Sequence, residues 1–406
     1  MIDECSVKDA LGPLIEVDTS NPPGKNSRRI ANILREQLAS TGCKFKLVRS
    51  PLDRFEALSK EVDGISGERV NLIATLDRGE GKTMIFNAHV DVVPAVGEWT
   101  KPPFNLTKAG DELFGRGVSD DKGPLAMFVL VIKELAETPG WRGKIILVAT
   151  VDEEIGGYTG LGYLMDGEVI SGDYCIVGDG DIDSISNAAN GCLVFKLTIK
   201  GKSVHSSMNW LGVNAVDKAA KLITRLEAYN KILNTRKSKV QTNSEKGVTC
   251  LTPSLTVGLI RGGTKVNIVP DSCKLEVDRR VIPEENKLEA IKEFKKILEE
   301  LKRADKDFNY DLHVEGLHNS FYVREDNELI TTACRVYEEI TKRKGRILGT
   351  LGCLDTSYVA KHGIPVFTFG VSRVESSIHG IDEHAKIKDL IDFGYIVKET
   401  TQRLLR

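Results

Sequence analysis

TMIFNAHVDVVP (83–94), read beside KIILVATVDEEIGG (144–157) and DYCIVGDG (173–180), sets the architecture. Each stretch opens on a short apolar run, at 83–88, 145–150 and 174–177. Each run stops on His or acids: His89-Val90-Asp91, Asp152-Glu153-Glu154, and Gly178-Asp179. Runs of this length and composition read as buried strands. Helical patterns lie around them, at 27–40 and, strongly apolar, at 125–136. Strands alternating with helices predict an α/β fold with a mainly parallel sheet and helices on both faces. Such sheets hold ligands beyond the carboxyl ends of their strands, where these three runs place their acids and His89.

The pattern changes near residue 190. LVFKLTI (193–199) alternates as a half-buried strand, 214–229 is helical, and 255–259 and 272–278 read as strands. A Lys/Glu-rich amphipathic helix follows at 284–301, then a strand at 310–314. The order β-α-β-β-α-β is the split βαβ unit of ferredoxin-like folds. After Gly316 the first style returns, with a helix over 329–341 and a strand at 365–369. The expected organisation is an α/β domain over 1–188 and 316–406. It is interrupted at 189–315 by a smaller α+β domain.

Composition narrows the function. The chain of 406 residues carries 56 Lys and Arg against 58 Asp and Glu, a net charge of -2. That balance gives no gross attraction to nucleic acid or an anionic membrane. No apolar run approaches the ~20 residues of a membrane helix. The opening MIDECSVKDALGPLIEVDTS has early acids and no apolar core, so a secretory leader is not expected and a cytoplasmic location is. Eight cysteines are scattered without a CxxC pair and read as reduced thiols.

The candidate chemistry lies in five places: His89-Val90-Asp91, the GRGVSDDKG segment (115–123), Asp152-Glu153-Glu154, Asp179, and His379 in IHGIDE (378–383). Singly, each has an ordinary structural explanation. A His-x-Asp can be a local hydrogen bond, an Asp before a helix a cap, and strand-end acids simple solvation. Together they offer two imidazoles and several carboxylates without cysteine, a donor set suited to Zn, Mn or Co. A carboxylate shared between two metals ~3.5–4 Å apart is a known hydrolytic arrangement.

At this point the chain resembles the co-catalytic zinc amidohydrolases: glutamate carboxypeptidase, aminoacylase, acetylornithine deacetylase, succinyl-diaminopimelate desuccinylase and cytosolic dipeptidases. The resemblance runs through DTSNPP (18–23), NAHVDVVP (87–94), GRGVSDDKG (115–123), VDEEIGG (151–157), GKSVH (201–205), GVNA (212–215), GGTKVNIVP (262–270), DRR (278–280), and His379 with Glu383. It implies two divalent metal ions, Zn with Co or Mn as alternatives. His89 and Asp179 would hold one, Glu154 and His379 the other, and Asp120 would bridge them. Asp91 would orient His89, and Glu153 would be the general base on the water between the metals. His205 and Asn267 would belong to the lid, where His205 completes the site of a neighbouring subunit in a homodimer. Arg280 would hold a substrate carboxylate. In relatives the peptide after the bridging Asp is often cis.

The chain departs from the family pattern in its last third. Gly-Gly-Thr-Asp-Ala-Arg becomes Gly352-Cys353-Leu354-Asp355-Thr356-Ser357. Ser357 stands where desuccinylases carry an arginine for the distal succinyl carboxylate, which argues against a succinylated substrate unless a cation such as Arg373 substitutes. Asp179 stands where carboxypeptidases and deacylases more often have Glu. The expected activity is hydrolysis of an amide bond in a short peptide or N-acyl amino acid. The alternatives are a deacylase of the acetylornithine or succinyl-diaminopimelate type, and a catalytically silent binding relative.

Overall fold

The computed structural model describes residues 1–242 and 247–406. The chain divides into two compact units. One comprises Met1–Asn187, Val323–Leu348 and Leu354–Arg406; the other comprises Ala188–Tyr322 with Gly349–Cys353. The second unit thus continues to Tyr322, past the 189–315 interval read from the sequence, and takes back a five-residue segment near position 350.

In the first unit the large sheet runs in the order Lys44–Arg49, Val70–Asp77, Lys144–Thr150, Thr83–His89, Tyr174–Val177, Val366–Thr368, Ile185–Ala189. Its centre is parallel, from Lys144–Thr150 through Val366–Thr368, and antiparallel strands flank it on both sides. All four residues of Tyr174–Val177 are buried, as are six of the seven in Thr83–His89. That is why these strands read as unbroken apolar runs. Lys44–Arg49 lies at the edge and alternates lysines with half-buried residues, a pattern that discourages edge pairing.

Met84, Phe86 and Ala88 share one face and join the core with Leu147, Ala149 and Ile176. The helix Lys122–Glu137 packs on this face, with Phe128 stacked on Phe86 at 4.8 Å between centroids. Phe393 of Ile387–Leu404 leans on Phe128 at 5.4 Å. This packing leaves the carboxyl ends of the parallel strands, with His89, Glu153, Glu154 and Asp179 just beyond, as the part of the sheet free to carry chemistry.

The second unit has a four-stranded antiparallel sheet in the order Ser254–Gly262, Ser272–Val281, Gly191–Lys200, Asn309–His318. With helices Ala215–Leu233 and Lys287–Ala304 this is the ferredoxin-like arrangement. Leu193, Phe195, Leu197 and Ile199 alternate into its core, where Phe195 stacks on Phe294 at 3.8 Å. Asn214 and Asn286 cap the two helices through side-chain oxygens, each accepting two backbone N–H groups.

Candidate metal centre

His89 closes its strand almost fully buried. Its Nδ1 lies 2.9 Å from the Asp91 main-chain oxygen and 3.7 Å from the Asp91 carboxylate. The main-chain carbonyl, more than the carboxylate, therefore fixes the ring. With Nδ1–H donating there, Nε2 turns inward, 2.9 Å from Asp120 Oδ1. The second Asp120 oxygen lies 3.1 Å from His379 Nε2, and the same nitrogen lies 3.1 Å from Glu154 Oε2. Donor atoms of His89, Asp120 and Glu154 all fall within 4.8 Å of one another. Asp179 faces the same group closely enough to feel the charges of Asp120, His89 and Glu154. The peptide between Asp120 and Asp121 is cis.

Asp91 serves the neighbouring loop with its carboxylate. It accepts the N–H groups of Glu153 and Glu154, each at 3.3 Å, and the Asn21 amide at 2.9 Å. Asn21 also donates to Asp152 at 2.7 Å, and Asp152 pairs with buried Arg69 at 2.9 Å. Asp152 sits at φ 64°, a left-handed conformation uncommon for a side chain with Cβ. Its bonds to Asn21, Arg69 and Thr159, with the Gly157 N–H on its carbonyl, hold it there. His379 also has positive φ, at 61°. Non-glycine residues in this region concentrate at functional sites.

Crowded acids set the electrostatics. Burial, reinforced by the Asp120 and Glu154 charges, pushes Asp179 up to about 7, against the pull of His89. Burial and the charges of Asp355, Asp179 and Glu154 likewise raise Glu153 well above the carboxylate range, again against His89. Hydrogen bonds with Asp120 and Glu154 lift His379 to about 10. Asp355 is buried with neither carboxylate oxygen hydrogen-bonded among the described residues. Converging carboxylates without a cation are costly to bury. Two imidazoles and several carboxylates around one point fit divalent cations with N and O ligands.

Asn21, Arg69, Asp152 and Asp355 carried no assigned role in the sequence reading. The first and last two stood inside quoted motifs, but what they touch is up to 131 positions away. His205, Asn267 and Arg280 belong to the second unit. His205 is exposed and caps the turn Ser206–Leu211, its Nδ1 accepting the Ser207 N–H at 3.2 Å. The Asn267 main-chain oxygen accepts the Ser206 N–H at 3.0 Å, while its Oδ1 is buried and unpartnered among the described residues. Arg280 donates to Asp278 at 2.9 Å and to the Cys353 sulfur at 3.2 Å. Arg373 cannot supply a spare cation: Asp389 holds it at 2.5 and 2.9 Å, and Asp183 at 2.8 Å.

Residues 85–403 match the family described as Peptidase family M20/M25/M40. The chain belongs to this family. It is accordingly a metallohydrolase acting on amide or peptide bonds. A curated relative, the succinyl-diaminopimelate desuccinylase of Polynucleobacter necessarius, is 29% identical over 346 residues, covering 80% of this chain and 83% of the relative. Two solved structures share the fold. An M20 family metallo-carboxypeptidase from Sulfolobus solfataricus has a TM-score of 0.78 at 20% identity, with 98% of each chain covered. A tripeptidase from Staphylococcus aureus has a TM-score of 0.77 at 22% identity, with both chains fully covered. No helix among the described residues is long and apolar enough to cross a membrane.

Proposed function

We propose that this M20 enzyme hydrolyses an amide bond in a short peptide or N-acyl amino acid, with two divalent ions, zinc in the first instance, held by His89, Asp120, Glu154, Asp179 and His379. The observation that carries the reading is Asp120, whose two oxygens face His89 and His379 at 2.9 and 3.1 Å, as a bridging carboxylate would. Bound ions would polarise the scissile carbonyl and acidify a water. Glu153 follows the Lys144–Thr150 strand and lies close enough to the centre to feel the charges of His89, Asp179 and Glu154. It takes the proton of the attacking water and passes it to the leaving amine. His205 Nδ1 accepts a backbone N–H, so the neutral ring carries its proton on Nε2. That outward donor suits a developing oxyanion. Arg280, half-exposed, reads a substrate carboxylate by exchanging Asp278 for it.

The second unit supports a homodimer. Trp210 and Val266 are 74% and 98% exposed there, on the segments that carry His205 and Asn267. Met208, Leu211 and Ile268 beside them are exposed as well, and large exposed apolar patches mark association surfaces. Mixing His205→Ala with Glu153→Ala protein tests a shared site: hybrid dimers regain activity, and no recovery after confirmed subunit exchange counts against it.

A succinylated substrate is the second reading, favoured by the curated relative's name. Against it, Ser357 is a buried hydroxyl residue and Arg373 is committed to two acids. The test is metal content with kcat/KM for dipeptides, acetyl-amino acids and succinyl-diaminopimelate. Tenfold preference for the succinylated compound, about 1.4 kcal/mol in the transition state, would overturn the first reading in favour of the second.

A further inference from the structure

In the second unit the Asp278–Arg280 pair carries a thiol at each end, Cys192 and Cys353, and hydrolysis uses neither. Cys192 opens the strand Gly191–Lys200 and pairs in register with Arg280 on Ser272–Val281. The Cys192 thiol lies 3.3 Å from Asp278 Oδ2. Asp278 Oδ1 accepts the Arg280 Nε–H at 2.9 Å, and Arg280 Nη1 donates to the Cys353 sulfur at 3.2 Å. Both sulfurs thus stand on one Asp278–Arg280 pair, near enough for each thiol to alter the titration of the other. Both cysteines are free thiols; Cys192 is buried and Cys353 half-buried.

The two sulfurs are inequivalent. The neighbouring Cys192 thiol, with the adjacent Arg280 charge, brings Cys353 down to about 7 despite burial. The neighbouring Cys353, with burial and the Asp278 charge, drives Cys192 strongly up. Burial pushes Cys43, Cys175, Cys273 and Cys334 up as well. A thiolate beside an arginine and within reach of a second thiol is the arrangement of an attacking and a resolving cysteine.

We propose that Cys192 and Cys353 form an oxidisable pair, in which a hydroperoxide converts the arginine-paired Cys353 to a sulfenic acid and Cys192 resolves it to a reversible disulfide. With hydrogen peroxide, the Cys353 thiolate attacks one peroxide oxygen and the O–O bond breaks. Hydroxide leaves and is protonated to water. The Cys192 sulfur then attacks the Cys353 sulfur, the S–O bond breaks, and hydroxide leaves with the Cys192 proton as a second water. Two thiols lose two electrons and one peroxide gains them. A small dithiol reverses the oxidation by supplying two electrons and two protons. The disulfide takes the Cys353 sulfur away from Arg280 as an anionic partner, leaving Asp278.

The test is made on the zinc-loaded full chain and needs no hydrolysis assay. The protein is treated with a small excess of hydrogen peroxide, alkylated with N-ethylmaleimide and digested without reductant. The expected product is a cross-linked peptide pair containing Cys192 and Cys353, 2 Da lighter than the separate peptides and lost on adding dithiothreitol. Cys192→Ser should stop at a sulfenic acid trapped by a 1,3-diketone, and Arg280→Gln should slow Cys353 alkylation at pH 7 about tenfold. The proposal is overturned if Cys5 or Cys250 oxidises first, if the pair stays reduced, or if Cys192→Ser still yields a disulfide at Cys353. The mass readout is independent of the role of Arg280 in substrate binding.

Discussion

Arg116 meets Glu383 at 2.6 Å with both side chains only 1% exposed. The Glu383 carboxylate also accepts the backbone N–H groups of Gly117, Ser119 and Asp120. It therefore clamps the loop that presents Asp120. Glu383→Gln keeps the size but loses the charge and leaves Arg116 buried without an anion. Breaking a buried pair in this way costs about 3–5 kcal/mol, and loss of an outer support typically weakens metal binding about 10–100-fold. Urea unfolding and zinc titration against a competing chelator check both. Wild-type zinc affinity in a folded Glu383→Gln protein would show that Glu383 does not support the Asp120 loop for metal binding.

Glu153→Ala is expected to keep its metal and lose turnover. General acid–base catalysis contributes about 10²–10⁴-fold, so kcat should fall by that order. Elemental analysis beside steady-state kinetics gives the answer. Loss of zinc along with activity would mean that Glu153 and Glu154 exchange roles.

Chelation should abolish activity and lower the melting temperature, and added zinc should restore both with about two ions per chain. An ion at about 100 times its Kd stabilises the folded state by about 2.7 kcal/mol. Asp120→Ala should weaken both ions together, because its two oxygens face both histidines. Retention of one full-affinity ion in that variant would exclude a bridging role.

His318 gives the second unit a pH dependence. Burial, aided by the Lys287 and Arg280 charges, lowers it from the ordinary histidine value of 6.5 to about 4. Protonation therefore favours the unfolded chain. The contribution is complete above about pH 6.5 and is lost as pH falls toward 4. Between pH 7 and pH 5 the loss is about 2 kcal/mol. Urea unfolding of wild type and His318→Gln at the two pH values isolates it: the variant should lack this part of the decline. An equal decline in both proteins would show that His318 does not titrate with folding.

Where a strand is buried on both faces the chain announces it, as in IILVAT and YCIV, and the acids that stop those runs mark the site. Lys44–Arg49 and Val70–Asp77 were not read. The first mixes lysines into a half-exposed edge, and their antiparallel pairing leaves no mark in either segment alone. The return of Gly349–Cys353 to the second unit is likewise invisible, because a five-residue segment has no periodicity of its own. The residues that converge on Asp120 stand in motifs of the sequence. Their supports were not legible, since Asn21 joins Asp91 and Asp152 across 70 and 131 positions.

The donors around Asp120 are scattered from His89 to His379, so the centre exists only once the C-terminal part of the chain has docked. A growing chain on the ribosome can finish the Thr83–His89 strand and its neighbours long before His379 is synthesised. Two ions held as proposed would therefore load late in the life of each molecule and act as a seal on completed chains. Prematurely terminated products lacking His379 would be left with an unneutralised acidic cluster, which marks them for turnover by ordinary proteolysis of unstable folds.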